Sequence, residues 1–361
     1  MFVINSLSPG GAERVASSLV NYWAQGGDEV SMVTVGTAQE DFYVLDNRVQ
    51  RMALGLNRES ASLPEFLGNN LLRIGRLRQL IRRVAPDVVI SFMDATNVLV
   101  LLSALGLSVR VVVSERVDPR RHLTSRVIRL LRPVLYPYAK ALVVQTEEVR
   151  YWAQGFAKPA SVHVIPNPVG LNSRAVTCRV TKDRHTILGM GRLEEQKGFD
   201  LLLRAFSLCY TKHPRWDLRI VGEGSNRSQL IVLTERLGIG DRVRLDPVVK
   251  EPVACLFDAD LFVLSSRYEG FPNALLEAMA AGLPVISFSC PSGPSDIIRD
   301  GYDGLLVPPG DVDALALAMD RLMGDERERQ ELSARAIEVN ERFAFDRVMP
   351  MWREVLRAAT G

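Results

Sequence analysis

The chain is poor in features that would mark it for several protein classes. Its 361 residues include only four cysteines and four histidines. Cys178, Cys209, Cys255 and Cys290 are far apart, with no C-x-x-C pair. That argues against a disulfide framework or a thiolate zinc site, and it fits a reducing compartment. Cys209 and Cys255 stand in apolar surroundings and read as buried thiols. His122, His163, His185 and His213 show no metal-ligand spacing, so no metal is expected. No run reaches the roughly 18 apolar residues of a membrane span. Met1-Phe2-Val3-Ile4 is too short for a signal peptide and reads as the stub of a first strand. The formal net charge is only +2, which excludes polyelectrolyte binding by the chain as a whole. There is no repeat of solenoid length and no low-complexity tract.

What is present is an ordinary globular composition, 47% hydrophobic and 24% charged, at a length that suggests two or three domains. Charge is unevenly spread. Residues 71–140 hold 13 Lys/Arg against 4 Asp/Glu, a local net charge of +9. This points to an anionic surface or ligand near the first half. Short apolar runs alternate with helical periodicity throughout. In the first half the strands are Phe2–Asn5, Glu29–Val35, Asp87–Phe92, Arg110–Ser114 and Ala141–Gln145. Such a rhythm predicts an α/β chain with parallel, doubly wound sheets. Ser161–Val169, ending in Pro166-Asn167-Pro168, reads as a stiff interdomain connection. A second βα series follows, with strands at 186–190, 217–221, 242–245 and 260–264.

The loops at strand ends carry the candidate chemistry, because open parallel sheets bind ligands there. Gly10 and Gly11 open the first helix, where free N–H groups could face a phosphate or simply make a tight turn. Asp94 and the cluster Ser114-Glu115-Arg116 follow buried strands and are candidates for an acceptor side; a helix-capping role is the alternative for Asp94. Arg192 and Lys197 bracket a loop before a helix, and two cations there could neutralise a diphosphate. Gly222-Glu223-Gly224 is only part of a dinucleotide fingerprint, so NAD binding is not expected. The stretch Ser265–Pro284 reads as strand end, loop, helix and stop. Glu269 and Gly270 sit in its turn, Asn273 is placed to cap the helix, Glu277 lies one turn inside, and Gly282 and Pro284 end it.

Two basic amphipathic helices stand out in the first half. One carries Leu67, Leu71, Ile74, Leu77, Ile81 and Val84 among Arg73, Arg76, Arg82 and Arg83. The other, 123–132, has Leu123, Val127, Leu130 and Leu131 on one side and Arg126, Arg129 and Arg132 on the other, and Pro133 and Pro137 are expected to break it. Tyr136 and Tyr138 would then stand in an apolar hairpin. Helices of this kind can lie on an anionic membrane or pack on the sheet with solvated arginines.

Taken together, Gly-Gly-Ala-Glu-Arg at 10–14, Gly-Arg-Leu-x3-Lys-Gly at 191–198, Val-Gly-Glu-Gly at 221–224 and Glu269-x7-Glu277 resemble the retaining group 1 glycosyltransferases of GT-B fold. The resemblance covers nearly the whole chain, with the motifs in order. It implies two Rossmann-like domains facing a cleft, one at 1–167 joined by a returning helix at about 346–361, the other at 168–345. It implies a nucleotide-sugar donor, with UDP the family expectation, held by Glu223, Glu277, Glu269 and the backbone of Gly270, Phe271, Asn273 and Ala274, with Gly10 and Gly11 beside the diphosphate. Arg192 and Lys197 would stabilise the leaving group with no metal or cofactor. Ser114-Glu115-Arg116 and the stretches around Tyr268 and Gly293 resemble the subgroup acting on polyprenyl-diphosphate-linked or surface-polysaccharide acceptors, implying an enzyme at the cytosolic face of a membrane. Arg116 stands where many members carry histidine, and it could bind an acceptor phosphate or a donor-sugar group. A nucleotide-sugar epimerase or a non-catalytic binding subunit on the same fold is the alternative. No nucleic-acid partner is implied.

Overall fold

The computed structural model describes residues 1–57, 62–122, 124–158, 161–170, 183–249 and 252–360; Cys178 and Leu123 lie outside them. The chain forms two compact units. Unit 1 is Met1–Asn167 with Val348–Gly361, and unit 2 is Pro168–Arg347.

Unit 1 runs β1 (Phe2–Ile4), α1 (Gly11–Gln25), β2 (Ser31–Thr34), β3 (Gln50–Ala53), α2 (Leu63–Val84), β4 (Val88–Phe92), α3 (Asp94–Ala104), β5 (Arg110–Ser114), α4 (Arg126–Leu135), β6 (Ala141–Val144), α5 (Glu147–Ala153) and β7 (Val162–Val164). Unit 2 runs β8 (His185–Met190), α6 (Phe199–Cys209), β9 (Trp216–Val221), α7 (Arg227–Arg236), β10 (Val243–Asp246), α8 (Pro252–Phe257), β11 (Leu261–Leu264), α9 (Asn273–Ala280), β12 (Val285–Phe288), α10 (Pro294–Ile297), β13 (Leu305–Val307), α11 (Val312–Gly324), α12 (Glu326–Ala336) and α13 (Val339–Arg342). The last helix is α14 (Phe345–Thr360), most of which belongs to unit 1.

All strand pairs are parallel. The seven-stranded sheet of unit 1 has the order β3-β2-β1-β4-β5-β6-β7, and the six-stranded sheet of unit 2 the order β10-β9-β8-β11-β12-β13. In each, the order reverses at an inner strand pair, β1/β4 and β8/β11. Loops leaving the carboxyl ends of such a pair diverge to opposite faces and open a crevice.

Helices cover both sheet faces, so the strands are apolar on both. Val3, Val33, Val89 and Val113 pack toward Leu77 and Ile81 of α2 and Leu101 of α3. Phe2 and Phe92 point the other way and meet edge to face at 4.7 Å. Trp352 of α14 closes that side, 6.2 Å from Trp23 of α1 and 6.0 Å from Phe92. Unit 2 builds its core likewise, from Leu202, Phe206, Leu218, Ile220, Val263, Ile286 and Met319. Cys209, Cys255 and Cys290 are buried thiols, and burial pushes Cys209 up to about 12.

The structure corrects the reading of α4. The helix starts at Arg126, with Ser125 as its cap, and runs through Pro133 to Leu135. The proline costs one main-chain bond, but the helix ends a residue pair later in a single tight turn at Tyr136–Tyr138. Tyr136 is buried rather than offered to lipid, whereas Tyr138 is exposed. Arg132 is only 2% exposed, while Val127, Leu130 and Val134 face outward. Of the expected stripe, Val127 and Leu130 face outward while Leu131 packs on the core, because a buried ion pair draws Arg132 inward.

Trp352→Ala is expected to destabilise unit 1 by about 3–5 kcal/mol, the usual cost of emptying a buried tryptophan site. Chemical denaturation followed by tryptophan fluorescence should show the unit 1 transition at clearly lower denaturant.

Candidate functional site

In unit 2 the loops after β8 and β11 flank the reversal of strand order. Four close backbone approaches hold them. Gly198 has φ +61°, and a Cβ there would overlap the Ser265 carbonyl oxygen. Gly222 and Gly224, after β9, lie against Gly191 and Leu193 in the same way. Gly293 has φ +100° and lies on the Gly270 carbonyl. Hydrogen bonds then join the two loops. Arg267 N donates to Gln196 O at 2.8 Å, Ser265 Oγ to Lys197 O at 3.0 Å, and Gln196 Nε2 to Tyr268 O at 3.0 Å. Arg267 grips Asp200 at the start of α6 through two 2.8 Å bonds.

This arrangement brings Lys197 and Glu269 into direct contact, Nζ to Oε1 at 2.6 Å. Ser266 Oγ donates to the same oxygen at 2.6 Å. Glu269 is 5% exposed, so the pair is a desolvated charge contact rather than a surface bridge. Arg192, on the same loop, is exposed, and its Nη2 reaches Gln196 Oε1 at 3.4 Å. Glu223 is an exposed group 3.6 Å from Arg227.

Glu277 lies buried on α9, within its second turn. Asn273 is the first residue of that helix and not its cap; Pro272 takes the cap position, with no side-chain bond. The helix ends at Ala280 with Ala281 as its C-cap, and Gly282, with φ +75°, lies just beyond. Phe271 is buried, edge to face with Phe343 at 5.4 Å, and Ala274 packs on the same core.

In unit 1 the glycine turn follows β1. Gly10 is extended and is clamped by Tyr43, whose hydroxyl accepts from Gly10 N at 3.2 Å and donates to Gly10 O at 2.9 Å. Gly11 begins α1, and the Glu13 carboxylate curls back so closely that a Cβ on Gly10 would overlap it.

Asp94 and Glu115 turn inward. Arg132 Nη2 donates to Asp94 Oδ2 at 2.6 Å, and its Nε lies 3.3 Å from Glu115 Oε1. Asp94 also accepts from Ala95 N at 2.8 Å, but it is the first residue of α3 and Met93 holds the cap position. Tyr136 donates to Glu115 Oε1 at 2.5 Å, and Asn97 Nδ2 donates to the Tyr136 oxygen at 3.0 Å. Burial pushes the Glu115 carboxyl up to about 7, against the opposing pull of Arg132 and Tyr136 and with a further push from Asp94. Two acids and one guanidinium thus share a dry pocket, which favours a proton on Glu115. Arg116 points elsewhere, over the Phe92 ring at 4.2 Å and onto Asn167.

Among the described residues no three His, Cys, Asp or Glu side chains are grouped to hold a metal ion, and no helix is long and apolar enough to cross a membrane.

Residues 179–339 match the family described as glycosyl transferases group 1, and residues 9–173 match glycosyltransferase family 4. A lipopolysaccharide core biosynthesis glycosyltransferase of Rhizobium meliloti is 30% identical over 72% of this chain and 71% of its own length. The chain belongs to the group 1 glycosyltransferases. An alpha-1,4-N-acetyl-D-galactosaminyltransferase of Campylobacter jejuni, whose name gives a diNAcBac-PP-undecaprenol-linked glycan, is 29% identical over 98% of this chain and 97% of its own. The solved structure of Anabaena HepE in complex with UDP superposes with a TM-score of 0.80 at 18% identity, covering 99% of each chain. The two sheets are therefore the two Rossmann-like domains of a GT-B fold.

For this glycosyltransferase, motif reading missed the groups that hold the motif residues in place. Ser266 lay within the quoted stretch, but nothing in its spacing marks it as a partner of Glu269. Tyr43, Asn97, Arg132, Tyr136, Gln145 and Asn167 come from distant segments, and only the fold brings them in.

The Glu115 carboxyl gives a signed pH dependence. Its folded pKa lies above its ordinary value, so its neutral form stabilises the fold. That contribution is complete below about pH 4.5 and is lost as pH rises to about 7. Glu115→Gln should remove a few kcal/mol of this slope. Tm measured from pH 5 to 8 is expected to fall less steeply in the variant than in the parent.

Proposed function

We propose that this glycosyltransferase moves a sugar from a UDP-sugar to a saccharide or polyprenyl-diphosphate-linked acceptor in surface glycan assembly, retaining anomeric configuration and using no metal. The observation that carries the reading is the placement of Arg192, Lys197, Glu269 and Glu277 on the two loop–helix segments that flank one sheet's reversal of strand order. The relative from Campylobacter jejuni, with its undecaprenyl-linked glycan, and the UDP held by Anabaena HepE support the choice of substrates.

The division of labour follows from the chemistry of each group. Arg192 is exposed and offers a planar fork to the departing diphosphate. Lys197 brings a second positive charge, already oriented by Glu269. An ammonium has three donors, so Lys197 can keep Glu269 and still meet a phosphate oxygen. Glu269 accepts from sugar hydroxyls with its remaining lone pairs. The N-terminal N–H groups of α9 add a positive dipole end, and Glu277 accepts from the ribose. Charge developing on the diphosphate is thus met by fixed donors, and the acceptor hydroxyl attacks from the face the diphosphate leaves.

Unit 1 offers a surface suited to a lipid-borne acceptor at the cytosolic face of a membrane. Leu67 and Leu71 of α2 and Val127, Leu130 and Val134 of α4 are exposed large apolar groups, with Tyr138 beyond them. Arg76, Arg126 and Arg129 stand exposed on the same two helices. An apolar stripe edged by arginines suits an anionic bilayer.

Incubated with labelled UDP-sugars and polyprenyl-diphosphate saccharides, the protein should transfer sugar, and NMR of the product should show the donor's anomeric configuration. Lys197→Ala and Glu277→Ala should each lower turnover at least about tenfold, a loss above 1.4 kcal/mol of transition-state contact. Absence of UDP-sugar binding and transfer from every donor would sink the reading. On sedimentation with vesicles, binding should require anionic lipid, weaken with salt, and drop severalfold in the pair Leu130→Glu and Val134→Glu.

A further inference from the structure

Among its described residues, unit 1 holds two buried arginines with opposite surroundings. Arg132 meets two carboxylates. Arg116 is 8% exposed, and none of its hydrogen-bond or ion-pair partners is acidic. Its Nη2 donates to Asn167 Oδ1, its Nη1 reaches Ser114 Oγ at a long 3.5 Å, and its Nε has no partner. The flanking Phe92 face, 4.2 Å away, attracts a cation but brings no countercharge. Gln145 Nε2 donates to the same Asn167 oxygen at 2.7 Å, and Gln145 Oε1 is buried without a partner.

A buried charge without its opposite is costly, and burial draws the Arg116 guanidinium down to about 9. The group therefore stands ready for an anion that the protein does not supply. Its position fits a ligand site: Ser114 ends β5, Gln145 follows β6 and Asn167 follows β7, all at carboxyl ends of strands.

We propose that Arg116, with Ser114, Gln145 and Asn167, forms an oxyanion subsite, and that the substrate bound by unit 1 carries an acidic group there, either a sugar carboxylate or a phosphate. This rests on the transferase reading for calling that ligand the acceptor; the anion subsite itself does not.

Calorimetric titration of the full chain, saturated with UDP so that the donor site is filled, distinguishes the sources. The probes are glucuronate, inorganic phosphate and glucose. One anion should bind at least about tenfold tighter than glucose, and which of them does so names the group. Arg116→Gln should abolish that preference, and Arg116→Lys should keep part of it. Gln145→Glu should place an internal carboxylate beside the guanidinium, abolish anion binding and raise Tm. It decides the matter if Arg116→Gln fails to fold. Equal affinity for all three probes, or an anion preference unchanged in Gln145→Glu, overturns the proposal. UDP affinity should be the same in every variant. A parent chain that does not bind UDP at all would instead count against the transferase reading, leaving the anion result to stand or fall alone.

Discussion

The donor-side architecture depends on one missing side chain. The loop after β8 passes so close to the Ser265 carbonyl that only glycine fits at position 198, and its φ of +61° suits glycine as well. That approach lets the two loops share main-chain bonds, and those bonds carry Lys197 onto Glu269. A single methyl group would push the loops apart and separate the ion pair. Gly222, Gly224 and Gly293 extend the same logic to β9 and to the loop after β12. Charged groups from distant segments are held at 2.6 Å because the backbones beneath them can touch.

Unit 1 solves a different problem, that of charge in a dry place. Asp94, Glu115, Arg132 and Tyr136 meet one another inside the protein, with Glu115 favouring its proton. The network ties α3, β5 and α4 together through side chains rather than main chain. It also fits the outward position of Val127, Leu130 and Val134 on α4: Arg132 has partners on the inner side, beside Leu131 and Leu135. An exposed apolar stripe and a buried ion pair are two consequences of one helix orientation.

The fold class was legible from the alternation of apolar runs and helical periodicity, because strands covered on both faces must be apolar on both. The parallel sheets and the GT-B architecture follow that reading, as do the buried Cys209 and Cys255. Glycines at positions 10–11, 191–198 and 222–224 were legible as turns, and Glu269 and Glu277 as loop and helix carboxylates. Element ends were less so. Asn273 looked like a cap because its residue type prefers that position, yet Pro272 occupies it.

The sequence by itself determined that this is a two-sheet α/β chain of the group 1 glycosyltransferases, since local patterning and short motifs depend on neighbours within a few residues. Only the tertiary structure decided that Lys197 pairs with Glu269, that Arg132 is buried, that Glu115 is better read as a proton-bearing internal acid than as an open site group, and that Arg116 has no acidic partner among the described residues. Each of these depends on which groups from segments tens of residues apart meet in a low-dielectric interior, and on how much water is left around them. Spacing along the chain does not encode that.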